Sequence, residues 1–252
     1  TDRTKLTFGA RWTEENKDVT FNAIGSCERD FSSCSGSSSG LFRNGTYDDT
    51  TPKFAITHAL NDDVNIYASY TQGFRSGSFD ARARTIDSFL NSQPGPEEVT
   101  SIELGLKSTL NDGRVMFNIA VFQADYDDIQ KLALEDCVVD TTTCPSGRIQ
   151  RLINAAEATI EGIEIETRIN ITDQFSIEGS LGYTDASFDK FEGFDADGVP
   201  GYDPVTDPAA AKSLKFERVP ELTYNIMANY YYPLESGAEL DFRVSYSYTD
   251  DF

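Results

Sequence analysis

The chain has 252 residues, of which 39% are hydrophobic, and its formal net charge is −21. So acidic a chain excludes nucleic acid as a partner, because phosphate binding needs a basic surface. No apolar run reaches the roughly 18–20 residues of a membrane-spanning helix. The 17 Phe and 12 Tyr, with 18 Gly, instead indicate β-structure with many turns.

Apolar and polar residues alternate with a period of two in nine segments of the chain, which predicts strands rather than helices. In chain order these segments are 6–12, 54–60, 64–71, 101–107, 115–121, 162–171, 175–183, 224–232 and 239–248. Strands of roughly ten residues are longer than the usual five or six of soluble proteins. The pattern predicts an all-β protein built from about nine antiparallel strands.

The connections between these strands alternate strictly between short and long. The short ones are 61–63, 111–113, 172–174 and 233–237, and Asn111-Asp112-Gly113 is a strong hairpin signal. The long ones are about 14–51, 73–97, 135–149 and 189–219. This asymmetry is typical of a transmembrane β-barrel, which has short periplasmic turns and long outer loops. We therefore expect all four short turns at one end of the sheet.

The two faces of each strand differ in chemistry, which predicts an apolar lipid side and a polar lumen. We expect the first group to point outward: Ile163, Ile165, Ile169, Phe242 and Val244. The candidates for the lumen are Arg11, Glu103, Lys107, Glu164, Glu166, Arg168, Asp241 and Arg243. An ordinary antiparallel sheet with one solvated face gives the same alternation, so strand length and loop asymmetry decide for the barrel.

Several segments resemble TonB-dependent outer-membrane receptors. They are YASYTQGFRSGSF at 67–79, PEEVTSIELGLK at 96–107, NIAVFQADYDDIQ at 118–130, NAAEATIEGIE at 154–164, and the stretch 6–15. Each segment alone is weakly specific, whereas their order and spacing together are fairly specific. They span nearly the whole chain apart from the long connections.

The resemblance implies a 22-stranded barrel closed by an N-terminal plug, in the outer membrane of a Gram-negative bacterium. It implies import of a scarce nutrient, such as a ferric siderophore, a vitamin, haem or a glycan, energised through TonB. It also implies contact with outer-membrane lipid and lipopolysaccharide. We expect residues 1–252 to be one partial barrel domain, a fragment without plug or signal peptide, because nine strands cannot close so wide a barrel. The alternative function is a passive channel or a structural, adhesive barrel without energy coupling.

The sequence offers no catalytic centre, since no nucleophile and base can be assembled around the single histidine, His58. An enzyme is therefore not expected. Four cysteines lie in two equally spaced pairs inside long connections, and two local disulfides are favoured over a metal site. These are Cys27 with Cys34 and Cys137 with Cys144.

Four aspartates crowd the last long connection, where Asp-Ala-Asp-Gly at 195–198 is similar to the start of a calcium loop. The four are Asp195, Asp197, Asp203 and Asp207. The glutamate that usually closes such a loop is missing, since Thr206 stands in its place. A calcium site and a solvated acidic loop both stay open, and no other cofactor is expected.

Overall fold

The alternating segments form one antiparallel sheet of nine strands, paired in sequence order from the first to the last. A computed structural model describes residues 3–21, 41–80, 86–136, 148–191, 211 and 214–251. The strands are β1 (Thr4–Phe21), β2 (Leu41–Ala59), β3 (Val64–Arg75), β4 (Glu97–Leu110), β5 (Val115–Asp136), β6 (Arg148–Asn170), β7 (Phe175–Phe191), β8 (Leu222–Pro233) and β9 (Glu239–Thr249). A short helix, α1 (Ile86–Asn91), lies between β3 and β4.

The four short turns lie at one end of the sheet, as predicted. The Arg114 guanidinium reaches the Asp173 carboxylate of the next short turn at 2.7 Å, which joins two neighbouring turns. Asn111, Asp112 and Gly113 have φ values of 54°, 54° and 84°. This left-handed backbone suits Asn, Asp and Gly, which explains why the motif forms a tight hairpin. We call this edge the turn end, and the opposite edge the loop end.

The strands run further toward the loop end than the sequence pattern predicts. β1 continues to Phe21 and pairs with β2 from Leu41, so much of the predicted 14–51 connection is strand. The bounds predicted for 135–149 and 189–219 were also too wide, because β5, β6 and β7 each extend into them. Beyond Trp12 most β1 side chains are polar on both faces, so no alternation marks the strand, although the backbone ladder continues.

The register places the apolar residues of all nine strands on one face, which we call the apolar face. One row of paired positions crosses eight strands: Leu6, Ile56, Ala68, Leu104, Val121, Ile163, Tyr183 and Leu222. Phe8 and Val244 on this face are 71% and 73% exposed. Among the described residues no second layer covers it, in contrast to a soluble sandwich.

The hydrophobic cluster of the described residues lies on the opposite, polar face, near the loop end. It joins residues of β5, β6 and β7 to the segment before β8: Ile129, Ala156, Ala158, Phe188, Phe191 and Ala211. Phe216 stacks on Phe188 with ring centroids 4.1 Å apart. A register irregularity after Tyr126, with Asp128 at φ 56°, accompanies the burial of Ile129 in this cluster. The described part of the β7–β8 connection, residues 211 and 214–221, therefore packs on the polar face through Ala211 and Phe216.

Candidate functional site on the polar face

The described residues of the β3–β4 connection, 76–80 and 86–96, also lie over the polar face, and we call them the β3–β4 arm. It lies against β1 and β2 on one side and against β5 and β6 on the other. Phe89 is 1% exposed and Ser92 is fully buried, so this part of the arm is packed against the rest of the protein and does not extend into solvent. A Cβ atom at Gly77 would lie 2.6 Å from the Pro94 carbonyl oxygen, so the close return of the chain requires glycine there.

Arg43 of β2 holds the middle of the arm. Its guanidinium donates to the carbonyl oxygens of Phe89 and Leu90 at 2.8 and 2.7 Å, and to the Gln93 side chain. It also lies 5.2 Å from the Phe79 ring centroid and 5.9 Å from that of Phe89. Charge-assisted hydrogen bonds and cation–π contacts thus act on the same side chain.

Glu15 and Lys17 of β1 hold the start of the arm. The Ser76 hydroxyl donates to the Glu15 carboxylate at 2.6 Å, and Lys17 donates to the Gly77 carbonyl oxygen at 2.9 Å. Lys17 also lies 3.4 Å from the Glu15 carboxylate. The hydrogen bond from Ser76 is the main reason that the pKa of Glu15 lies below its ordinary value, and the hydrogen bond from Lys17 adds to it.

Asn154 of β6 attaches the end of the arm to β5 and β6. Its carboxamide oxygen accepts from the Gly95 amide at 2.7 Å, and its nitrogen donates to the Gly95 carbonyl at 3.2 Å. The same nitrogen donates to the Asp128 carbonyl of β5 at 2.6 Å. One side chain therefore joins the arm to both strands.

Gln130 of β5 adds a buried link beside Asn154. Its side-chain nitrogen donates to the carbonyl oxygens of Ser76 and Gly95 at 2.9 and 3.1 Å. Its side-chain oxygen accepts from the Ser78 hydroxyl at 3.0 Å. Because Ser76 also contacts β1, the arm bridges the polar face from β1–β2 to β5–β6 at the loop end.

Toward the turn end, the polar face carries the residues that the sequence assigned to the lumen. The register places the following eight on this one face: Arg11, Glu103, Lys107, Glu164, Glu166, Arg168, Asp241 and Arg243. Some of them are joined across strands, such as Arg168 to Glu178 at 3.1 Å and Arg243 to Asn229 at 2.9 Å. The Tyr67 hydroxyl donates to Glu103, and Lys107 lies 5.6 Å from the same ring. The result is a hydrogen-bonded wall of mixed charge.

The whole chain, residues 1–252, matches the family model described as TonB dependent receptor-like, beta-barrel. The chain belongs to this family of receptor barrels. The match confirms the family and fold predicted from the sequence, including the nine antiparallel strands.

The relatives of this receptor barrel are larger proteins. Over 158 residues it is 25% identical to the metal-pseudopaline receptor CntO of Pseudomonas aeruginosa, covering 61% of this chain and 20% of that protein. The crystal structure of the ferric yersiniabactin uptake receptor FyuA from Yersinia pestis matches 99% of this chain with a TM-score of 0.67 at 16% identity. The siderophore receptor PiuA from Acinetobacter baumannii matches 91% with a TM-score of 0.63 at 20% identity. The chain spans 32% and 29% of those two receptors, so it covers about a third of their length or less.

The family and these neighbours are receptors rather than enzymes, in agreement with the sequence analysis. The four cysteines and the four aspartates of the calcium candidate lie outside the described residues, so both remain sequence predictions. Within the described ranges, no group of three or more potential metal ligands comes together. None of the helices described there is long and apolar enough to cross a membrane.

Sequence reasoning missed the residues that hold the β3–β4 arm, above all Arg43, Gln130 and Asn154. Their arm partners are 35 to 59 residues away along the chain, so no local spacing reveals them. Asn154 opens the segment 154–164 and Gln130 ends the segment 118–130, and the resemblance of these two segments to the receptor family was the available signal. His58 contacts the Thr4 hydroxyl at 2.8 Å through Nδ1.

Proposed function

We propose that this chain forms part of the wall of an outer-membrane receptor that imports a metal chelate with energy supplied through TonB. The carrying observation is the family match across residues 1–252, joined to a polar face that a packed arm covers at its loop end. An arm held from both sides supplies a shaped surface where a cargo can be bound before transport.

The two faces of the sheet support the placement in a membrane. The apolar face would contact outer-membrane lipid, with lipopolysaccharide around the loop end, and the polar face would line the lumen. A continuous band of exposed apolar side chains needs an apolar solvent, and every strand except the outermost two is hydrogen-bonded on both sides. In the complete barrel, β1 and β9 would pair with further strands, which removes the open edges.

The relatives support a metal chelate as the cargo. A metal-pseudopaline receptor, a ferric yersiniabactin uptake receptor and a siderophore receptor all carry a metal or siderophore in their names. We therefore favour a chelated metal over a vitamin or a glycan for this receptor.

The arm favours a gated receptor over the alternative of a passive channel or an adhesive barrel. A passive channel benefits from a wide, open mouth, whereas this arm bridges β1–β2 and β5–β6 across the polar face. The mixed-charge wall below the arm, with Glu103, Glu164 and Arg168, would contact the plug domain through which TonB acts. Hydrogen bonds to a plug require such polar side chains at membrane level.

The direct test is metal accumulation by cells in which the full-length receptor is the sole uptake route. Cells with and without TonB are supplied with radioactive iron or copper in medium conditioned by the source bacterium, which contains its own chelators. We expect accumulation that needs both the receptor and TonB. Accumulation that is equal without TonB would reject energy coupling in favour of a passive channel.

A matched pair of variants connects this activity to the arm. Arg43→Met keeps an unbranched, apolar stem but removes the donors to Phe89 and Leu90, so uptake should fall. Lys190→Met removes a cation from the opposite face, where Lys190 lies 3.6 Å from Glu157, and should leave uptake unchanged. Equal uptake by both variants would remove the arm from the mechanism.

A further inference from the structure

A row of basic residues runs along β1 and β2 on the polar face. Lys5 lies opposite Thr57, Lys53 opposite Gly9, and Arg11 opposite Thr51. We call Lys5, Lys53 and Arg11 the basic ladder. The row continues through Lys17 and Arg43 to the arm, so that it extends over about 45 Å at roughly 3.3 Å per residue.

The ladder stands out because the chain as a whole is strongly acidic. On the polar face of β1–β3, six cations face two carboxylates, a net charge of four positive in a chain of net −21. The cations are Lys5, Arg11, Lys17, Arg43, Lys53 and Arg75, and the carboxylates are Glu15 and Asp49. Across the sheet, the polar face of β6 and β7 has the opposite sign, with Glu164, Glu166 and Glu178 around Arg168.

Among the described residues, the cations of the ladder differ from the other three in having no bonded partner. Lys17 contacts Glu15, and Arg75 lies 3.6 Å from Glu97. Within the described part of the chain, the side chains of Lys5, Lys53 and Arg11 form no hydrogen bond or ion pair, and all three are exposed. Hydroxyl side chains surround them on the same face: Thr7, Thr13, Thr51, Thr57, Ser69 and Thr71.

We propose that the basic ladder guides an anionic cargo along the β1–β3 wall, from the arm toward the turn end. This rests on the proposed function and deepens it, because it names the cargo as a chelate whose oxygen ligands outweigh the charge of its metal. Basic side chains lining a pore favour anions, and a wall of one sign raises their local concentration. The row follows the strand axis from the arm nearly to the turns, which suits a moving anion better than a compact docking patch.

The test compares the local electrostatic potential at two positions of the polar face, and it does not require the cargo to be known. Thr51→Cys, opposite Arg11, and Ser180→Cys, opposite Glu166, are each placed in the full-length receptor in cells. Each is treated with an anionic sulfonatoethyl or a cationic trimethylammonium methanethiosulfonate, and labelling rates are read by peptide mass spectrometry. The peptide that carries the new cysteine is separated from those of the native cysteines.

We expect the ratio of anionic to cationic labelling to be about tenfold higher at position 51 than at position 180, and labelling at 51 to increase with TonB. Neutralising the ladder as Lys5→Gln, Arg11→Gln and Lys53→Gln should abolish the preference. The charge-conserving set Lys5→Arg, Arg11→Lys and Lys53→Arg should retain it. If the substitutions reduced the amount of folded receptor, labelling by both reagents would fall in the neutralising set and in the charge-conserving set alike.

Three other outcomes are decisive. Equal ratios at the two positions overturn the proposal. Anion-selective labelling at position 51 that is the same without TonB keeps the anionic path but rejects the proposed energy coupling. If neither reagent labelled position 51, with or without TonB, the ladder would be covered by an acidic surface of the plug, and this outcome also overturns the proposal.

Discussion

Replacing Asn154 by Leu should release the end of the β3–β4 arm. Leu has a similar size, so the change removes hydrogen bonds and leaves little cavity. Lost are the bond from the Gly95 amide at 2.7 Å, the bond to the Asp128 carbonyl at 2.6 Å and longer ones to the Gly95 and Pro96 carbonyls. The Gly95 amide then has no protein acceptor in its present position.

The magnitude follows from the two short hydrogen bonds. Each contributes a net stabilisation of about 0.5–1.5 kcal/mol, and an unsatisfied, partly buried amide costs about 1–3 kcal/mol. We therefore expect the free energy of arm opening to fall by about 2–3 kcal/mol. This corresponds to a roughly 30- to 150-fold larger opening equilibrium, at about 1.4 kcal/mol per factor of ten.

Hydrogen–deuterium exchange of the full-length receptor measures this equilibrium in peptides covering residues 92–98. A matched control is Asn225→Leu on β8, which removes hydrogen bonds to Ser247 and the Tyr246 carbonyl on the same face, far from the arm. Exchange in 92–98 should increase for Asn154→Leu alone. Unchanged exchange would show that the arm does not depend on Asn154.

Three further predictions test the apolar face, the start of the arm and the long connections. In lipid, Ile165→Arg should lower the free energy of unfolding by about 2–4 kcal/mol if position 165 lies near the bilayer midplane. A urea titration in which this variant unfolds at the same concentration as the parent would contradict a lipid-facing position. The pKa of Glu15 lies below its ordinary value of 4.5. The contact between its carboxylate and Ser76 should therefore be intact above pH 4.5 and be lost as the pH falls through the lowered pKa. A spin label at the exposed Leu90 should therefore gain mobility at acidic pH, whereas in Glu15→Gln it should show no such pH dependence. Mass spectrometry of non-reduced peptides should find two local disulfides, Cys27–Cys34 and Cys137–Cys144, and a cross-linked pair between the two connections would refute local closure.

The sequence pattern predicts the central part of the sheet well, because apolar and polar side chains alternate strictly there. Spacing alone places Ile163 and Ile165 on one face and Glu164 on the other, and the register agrees. The alternation is lost in β1 after Trp12, because most side chains there are polar on both faces. There the strand is held by backbone pairing with β2, which does not depend on side-chain pattern.

The β3–β4 arm was beyond prediction for a different reason. Its position depends on single polar side chains of distant strands, such as Arg43 and Asn154, and many surface residues have the same chemistry. The basic ladder shows the same limit, since Arg11 and Lys53 are 42 positions apart and become diagonal neighbours only through the register of β1 with β2. Composition indicates an acidic chain, whereas the topology gives the polar face of β1–β3 six cations and only two carboxylates.

The central claim is that the apolar face meets lipid and the polar face lines the lumen. Spin labels placed singly at positions 162–169 of β6 in the full-length receptor, reconstituted in lipid, test it directly. We expect high collision rates with dissolved oxygen at 163, 165, 167 and 169, and low rates at 162, 164, 166 and 168. Oxygen accessibility that does not alternate, or that is highest at the even positions, would contradict it.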